Sequence, residues 1–381
     1  MKPLGIYVHI PFCVRKCDYC DFLSMPIGNE GMDDYIYALL CEIKGYAGKF
    51  NCVGDRYGLS SIYIGGGTPS LLSADSVSMI TDCIRRQFAY AYGKDVEITM
   101  EANPGTVSPD SLKSYRECGI NRLSIGLQSV NDDELRTLGR IHDAEAFFKA
   151  FDASKKAGFD NINVDIMTAL PGQTLDSLEN TLKAVTDLSC THISAYSLIL
   201  EEGTPFYKRY AGKDGLPGEE KEREMYHFTV SYLKEHGYKR YEISNFSLPG
   251  YESRHNSAYW KRNDYLGFGL GASSLVDNTR YKNTVNMCDY LKHPLSRDLF
   301  EENISLSERD RMAEHMFLGL RLSEGVSEEE FGKEFEKEID EIYGRELSRL
   351  VTEGLLLRHG GRIRLTEKGV DYGNYVFSRF L

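Results

Sequence analysis

The sequence predicts an α/β fold: a parallel sheet built from consecutive βα units, with a smaller second module behind it. Three observations lead there. Short β-branched or apolar runs recur six times, at intervals of roughly 25 to 55 residues. The stretches between them carry apolar residues at helical spacing. At 381 residues the chain exceeds one ordinary core of about 100 to 200 residues, yet it suits one large α/β unit with an appendage.

Taken in order, the strand-like runs are "GIYVHI" (5–10), "SIYIGG" (61–66), "VEITME" (96–101), "RLSIGL" (122–127), "NINVDI" (161–166) and "HISAYSLI" (192–199). Helical stretches such as "DSVSMITDCIRRQF" (75–88) and "TLDSLENTLKAVTDL" (174–188) separate them. Six such units curl into part of a barrel or lie as a doubly wound sheet, and periodicity does not choose between the two. After the glycine-rich "YLGFGLGASS" (265–274), residues 305–381 read as two or three helices and a hairpin, "LLLRHGGRIRLTEKG" (355–369). The expected division is therefore a core over 1–240, a connecting segment over 241–304 and a C-terminal module over 305–381.

Composition excludes several classes. A formal charge of −12 and a pI near 5.4 argue against a nucleic-acid partner held through phosphates, which needs a basic face. Nine cysteines is an odd number, scattered through apolar segments, so reduced thiols in a cytoplasmic setting are expected rather than a disulfide framework. The start, "MKPLGIYVHIPF", has one lysine and a broken apolar run, and nowhere do about 18 uncharged apolar residues follow one another. No export signal or integral membrane segment is expected.

The loops at the strand ends are more informative than the strands. The first strand leads into "CVRKCDYC", the second into "GGGTPS" (65–70), the third into "EANPG" (101–105) and the fourth into "LQS" (127–129); Asp165 ends the fifth. Ligands of α/β barrels and open sheets bind at the carboxyl ends of the strands, where loops converge. Five polar or glycine-rich features at five equivalent ends therefore point to one site.

Cys13, Cys17 and Cys20 let three thiolates face a common centre, and Arg15 and Lys16 favour the deprotonated sulfurs. A structural zinc wants a fourth ligand, for which His9 is the nearby candidate, although it sits inside a strand. Three cysteines on a cubane iron–sulfur cluster instead leave one iron open, and an open iron implies a small-molecule ligand.

"YVHIPFCVRKCDYCDF", "GGGTPS", "EANP" and "GLQS" together resemble the radical S-adenosylmethionine (SAM) superfamily, in the branch of the oxygen-independent coproporphyrinogen III oxidases and the HemW-type haem chaperones. The resemblance covers nearly the whole chain. It implies a partial, TIM-like (β/α)6 barrel and a 4Fe–4S cluster whose open iron is chelated by the amino and carboxylate groups of SAM. It also implies reductive cleavage of SAM to methionine and a 5′-deoxyadenosyl radical. Motif by motif, Tyr7 resembles the tyrosine near the SAM site and Tyr19 the aromatic that flanks adenine. Gly66, Gly67 and Thr68 match the glycine-rich edge along the methionine moiety, where absence of a Cβ permits close approach. Glu101, Gln128, Arg140 and Asp165 match the polar set around the cofactor. Arg140 suits a carboxylate, and Gln128 with Asp165 suits ribose hydroxyls.

The sequence also departs from the oxidases. They resemble CxxxCxxCxC, and here Phe22 stands at the fourth cysteine's position; they carry a long extension before the barrel, and here six residues precede Tyr7. Both departures fit the chaperone branch, as does "RHNSAYW" (254–260), which resembles its HNxxYW motif and makes His255 the expected haem ligand. The segment 254–274 comes after the last unit and is expected to border the barrel's open side, with its glycines closing the cofactor site. The C-terminal module resembles a winged helix. Residues 323–353 hold eleven acidic and four basic side chains, so it is expected to serve as a lid or docking surface rather than to bind DNA. Two functions result: a haem chaperone that controls delivery of haem to an acceptor, or an oxidase that decarboxylates coproporphyrinogen III. The sequence names neither the acceptor nor the electron donor.

Overall fold

The structure is a computed structural model and describes residues 1–26, 31–50, 57–88, 92–296, 298 and 300–381. All six expected runs are strands: β1 (Lys2–Ile10), β2 (Tyr57–Gly66), β3 (Tyr92–Ala102), β4 (Arg122–Gln128), β5 (Asn161–Thr168) and β6 (His192–Ser197). Each is followed by a helix of nine or more residues, after a shorter one at 132–138 beyond β4 and at 205–210 beyond β6: α1 (Met32–Phe50), α2 (Ala74–Gln87), α3 (Pro109–Glu117), α4 (Ala144–Lys156), α5 (Leu175–Asp187) and α6 (Glu219–Glu235). Local chemistry marks the helix starts. Ser73, Asp143 and Thr174 cap α2, α4 and α5 by accepting a backbone N–H two or three residues into the helix, and Ser108 and Ser111 form a capping box ahead of α3.

Strand order decides between barrel and doubly wound sheet. The six strands lie side by side in chain order and every neighbouring pair is parallel. Right-handed crossovers in unbroken order place every helix on one face, whereas a doubly wound sheet needs a reversal of strand order. The sheet therefore curls around its uncovered face as a partial (β/α)6 barrel.

The strands alternate with period two. Their outward residues, such as Ile6, Val8, Ile62, Ile98, Ile125 and Val164, are fully buried under the helices and form one apolar core. Their inward residues are polar yet also buried, among them Ser61, Thr99, Arg122, Ser124 and Asn163.

Residues 241–304, expected as a connector, together with the last two residues of the expected core extend the same sheet at both edges. β7 (Lys239–Arg240) and β8 (Asn245–Ser247) add antiparallel strands beyond β6, while β9 (Asp264–Phe268) pairs parallel to β1. A meander of β10 (Ser273–Val276), β11 (Thr279–Lys282) and β12 (Glu302–Ser305) completes the sheet, giving twelve strands in all among the described residues. The expected glycine-rich turn 265–274 is thus largely strand, and its Gly269 amide donates to Glu42 of α1 at 2.8 Å rather than closing a cofactor site.

The short helix α7 (Arg254–Trp260) carries the HNxxYW residues. It packs against β2 near the amino ends of the strands, where the amides of Arg254 and His255 donate to the Glu97 carboxylate at 3.1 and 3.2 Å. Behind it, α8 (Glu308–Gly319), α9 (Glu328–Phe335) and α10 (Ile339–Thr352) join a three-stranded sheet of β13 (Val326–Ser327), β14 (Leu356–His359) and β15 (Arg362–Leu365) around a separate apolar cluster. Two short helices over 367–371 and 373–377 complete the module. The buried Arg262 fastens it to the barrel through Glu314 at 3.0 Å and Glu334 at 3.1 Å, and the Arg321 guanidinium lies 4.3 Å from the Trp260 ring centre.

Candidate functional site

At the carboxyl ends of the strands a cavity of about 400 Å³ opens. Cys13, Cys17, Tyr19, Cys20, Gly66, Gly67, Thr68, Glu101, Gln128, Arg140 and Asp165, eleven of the thirteen residues singled out in the sequence, line it together.

The cysteine loop is pinned across the barrel top. The Asp18 amide donates to the Leu138 carbonyl at 3.2 Å, its carbonyl accepts from the Phe206 amide at 3.0 Å, and its carboxylate pairs with Arg209 at 2.9 Å. Thr68 donates to the Cys13 sulfur at 3.5 Å and Arg140 to the Cys17 sulfur at 3.6 Å. Burial pushes the Cys20 thiol up to about 11; the Phe22 backbone and nearby Lys16, the latter in the direction expected of it, act to lower it.

The glycines are required by space. A Cβ on Gly67 would stand 2.6 Å from the Phe12 carbonyl oxygen and 3.0 Å from the Cys13 sulfur; one on Gly66, at φ +117°, would stand 2.7 Å from the His9 ring. Glu101 accepts from the Tyr63 hydroxyl at 2.8 Å and the Gly66 amide at 3.0 Å. Burial nevertheless pushes its carboxyl up to about 7. Asp165 accepts from Ser124 at 2.8 Å and Asn163 at 2.9 Å, which holds it in one orientation. Gln128 takes the left-handed backbone conformation, φ 73°, just past a bulge in β4. Arg140 donates to the Gly126 carbonyl at 3.0 Å, and its buried Nε has no partner.

Two expected residues stand apart. The Tyr7 hydroxyl bonds to His9 Nδ1 at 2.9 Å, and its ring lies 6.3 Å from that of Tyr63, so it backs the site without lining the cavity. His255 is 2% exposed, at the opposite end of the barrel. Its Nδ1 meets Ser61 Oγ and its Nε2 the Tyr259 hydroxyl, each at 2.9 Å, while its ring stacks beneath Tyr63 at 5.1 Å. As folded, His255 has no free nitrogen for an iron, and segment 254–274 does not border the cavity. No lining residue comes from 305–381, so the expected lid does not cover this mouth.

Other lining residues were not singled out, notably Tyr63, Ser124, Met167, Tyr196 and Ile199. Tyr63, Ser124 and Asp165 share the inward period of "SIYIGG", "RLSIGL" and "NINVDI". A polar residue at every second position of a strand buried on both faces was the available signal.

The site discriminates between metals. The Leu23 carbonyl can only accept, so His9 Nε2 carries the proton that bonds it at 2.8 Å, and Nδ1 accepts from Tyr7. Both ring nitrogens are committed, which removes His9 as the fourth ligand of a closed zinc site. Three thiols on one loop that all line the cavity, a glycine edge and an unpartnered guanidinium atom fit a cluster with an open iron and a carboxylate-bearing ligand.

This fold and this site define a radical SAM protein. The Radical SAM superfamily profile matches residues 7–185, and the HemN C-terminal domain profile matches residues 306–372. Membership implies SAM and a 4Fe–4S cluster. The chain is 38% identical to heme chaperone HemW of Lactococcus lactis, covering 100% of this chain and 98% of that one. It is 37% identical to its Bacillus subtilis counterpart, covering 98% of each, and 33% identical to that of Escherichia coli, covering 100% and 99%. Among solved structures it is similar to coproporphyrinogen III oxidase HemN from Escherichia coli, with a TM-score of 0.84 at 23% identity over 100% of this chain and 90% of that one. The chain belongs to the HemW family.

Proposed function

We propose that this protein is a haem chaperone that binds haem and passes it to an acceptor protein, with a 4Fe–4S cluster on Cys13, Cys17 and Cys20 and SAM in the cavity above the strands. The observation that carries the reading is end-to-end identity of 33 to 38% to proteins named heme chaperone HemW. Likeness to the oxidase, at 23%, extends to the fold alone. Where the oxidases place a fourth cysteine, Phe22 is 64% exposed at the cavity's edge.

In this reading Cys13, Cys17 and Cys20 would hold the cluster, which when bound and reduced would supply one electron for cleavage of SAM. The chain's own groups bind and orient. Gly66 and Gly67 admit the methionine moiety, and Arg140 pairs with its carboxylate. Glu101, held by Tyr63 and Gly66, receives its ammonium, while Gln128 and Asp165 take the ribose hydroxyls. Among the described residues no helix is long and apolar enough to cross a membrane. We place the protein in the cytoplasm, a reading supported by eight described cysteines, none of them in a disulfide. We also read residues 305–381 as a second folding unit.

Anaerobic reconstitution followed by haem titration, transfer to an apo-haem protein and a porphyrinogen assay tests the proposal. Haem binding and transfer are expected, without coproporphyrinogen III turnover at enzyme-like rates of about 1 per second or more. Repeated formation of protoporphyrinogen IX by protein that binds no haem would overturn it.

A further inference from the structure

We propose that haem docks across the mouth of the cysteine-lined cavity, its macrocycle held between Phe22 on one wall and Tyr196 and Ile199 on the other. The inference rests on the chaperone reading and adds the place and the groups that hold the ligand.

Single exposed apolar side chains are ordinary on protein surfaces, but a contiguous apolar opening marks a binding site. Here Phe22 is 64% exposed, Tyr196 40% and Ile199 67%, and all three border the same cavity. Phe22 lies on the loop after β1, whereas Tyr196 and Ile199 lie at the end of β6 and just beyond it. These are the first and last strands of the six-unit barrel, so the apolar groups of the mouth come from two segments far apart in the chain. The residues assigned above to SAM come instead mainly from the strands between, which leaves this rim without a role in cofactor binding.

The charges fit the same ligand. Haem has two apolar faces and two carboxylates on one edge. Arg15 and Lys16 line the cavity on the Phe22 side, and the Lys16 ammonium donates to the Phe22 carbonyl at 2.9 Å, so cation and aromatic ring are held in one loop. Asp21 follows them in the same loop and Glu201 lies beyond the end of β6, so the cations nearest Phe22 in the chain are Arg15 and Lys16. The carboxylate edge therefore points toward Arg15 and Lys16, with the macrocycle reaching across to Ile199. The floor of the barrel offers no comparable place, because His255 is enclosed there with both nitrogens bonded.

The test uses the full chain, anaerobically reconstituted, with haem titrated into wild type, Phe22→Ser, Ile199→Ser and the double variant. Haem Kd should rise about tenfold in each single variant and further in the double, as expected for losing one large apolar contact. Iron content and unfolding midpoint should stay at wild-type values, since both side chains are largely exposed. Should Phe22→Ser lose iron, Ile199→Ser on the opposite wall carries the test alone. Metal-free protoporphyrin IX should show the same loss, because the contacts are to the macrocycle. Wild-type haem affinity in the double variant would overturn the rim placement and leave the chaperone reading standing. Absence of haem binding by wild type would overturn both.

Discussion

Replacing His255 with alanine tests the HNxxYW segment as a structural floor. The imidazole bonds to Ser61 and Tyr259, stacks on Tyr63 at 5.1 Å and meets Tyr259 edge-on at 4.9 Å. Leaving the fully buried Ser61 hydroxyl unpaired costs about 1 to 3 kcal/mol, and the half-buried Tyr259 hydroxyl about 1. Loss of the ring contacts adds about 1. The expected destabilisation is about 3 to 5 kcal/mol, a large share of the roughly 5 to 15 that holds a domain folded. Denaturant unfolding of the apo-protein measures it. Burial, and secondarily the Arg122 charge, lower the His255 pKa to about 3. The unfolded chain takes up a proton below its ordinary value of 6.5 while the folded chain does not, so the stability is whole above pH 6.5 and is lost as pH falls toward 3. Each unit removes up to about 1.4 kcal/mol, or about 3 kcal/mol by pH 4.5. His255→Gln should lack that slope. A cost below about 1 kcal/mol for the alanine variant, together with superimposable pH profiles, would refute the enclosed, doubly bonded imidazole. For haem assays, loss of affinity in His255→Ala implicates the imidazole only if His255→Gln, with its fold retained, loses it too.

Serine at Cys13, Cys17 or Cys20 should abolish the roughly four irons and four sulfides expected per chain, whereas serine at Cys41, Cys83 or Cys190 should leave iron analysis unchanged. Gly67→Ala should lower iron content as well as SAM binding, because the new methyl meets the Phe12 backbone and the Cys13 sulfur; full iron loading would contradict that contact. Arg262→Ala should destabilise the chain by about 3 kcal/mol, since it strands the buried Glu314 carboxylate with only the partly exposed Arg280. Faster proteolysis between 305 and 381 should accompany this, and an unchanged unfolding midpoint would argue against the tie.

Much of the architecture was legible because it is local. Strand alternation, helical spacing and caps act over a few residues, so all six βα units could be read from runs such as "NINVDI" and the helix after it. Loops after parallel strands converge on one end, so Cys13, Gly66, Glu101, Gln128 and Asp165 could be expected on one cavity before their distances were known. The periodicity of six βα units suits a barrel or a doubly wound sheet equally well; the family resemblance implied the barrel, and strand order, a matter of long-range pairing, bears it out. Tertiary structure alone decided the rest. Spacing also does not say whether a polar group points up to the mouth or down to the floor. Tyr7 and His9 share a face of β1 yet support the site from behind, and His255, nearly two hundred residues after Ser61, reaches that hydroxyl only because α7 folds back under β2. The Cys20 thiol, expected to be acidified by Arg15 and Lys16, is governed by burial, because desolvation depends on everything packed around a group and not on its neighbours in the chain.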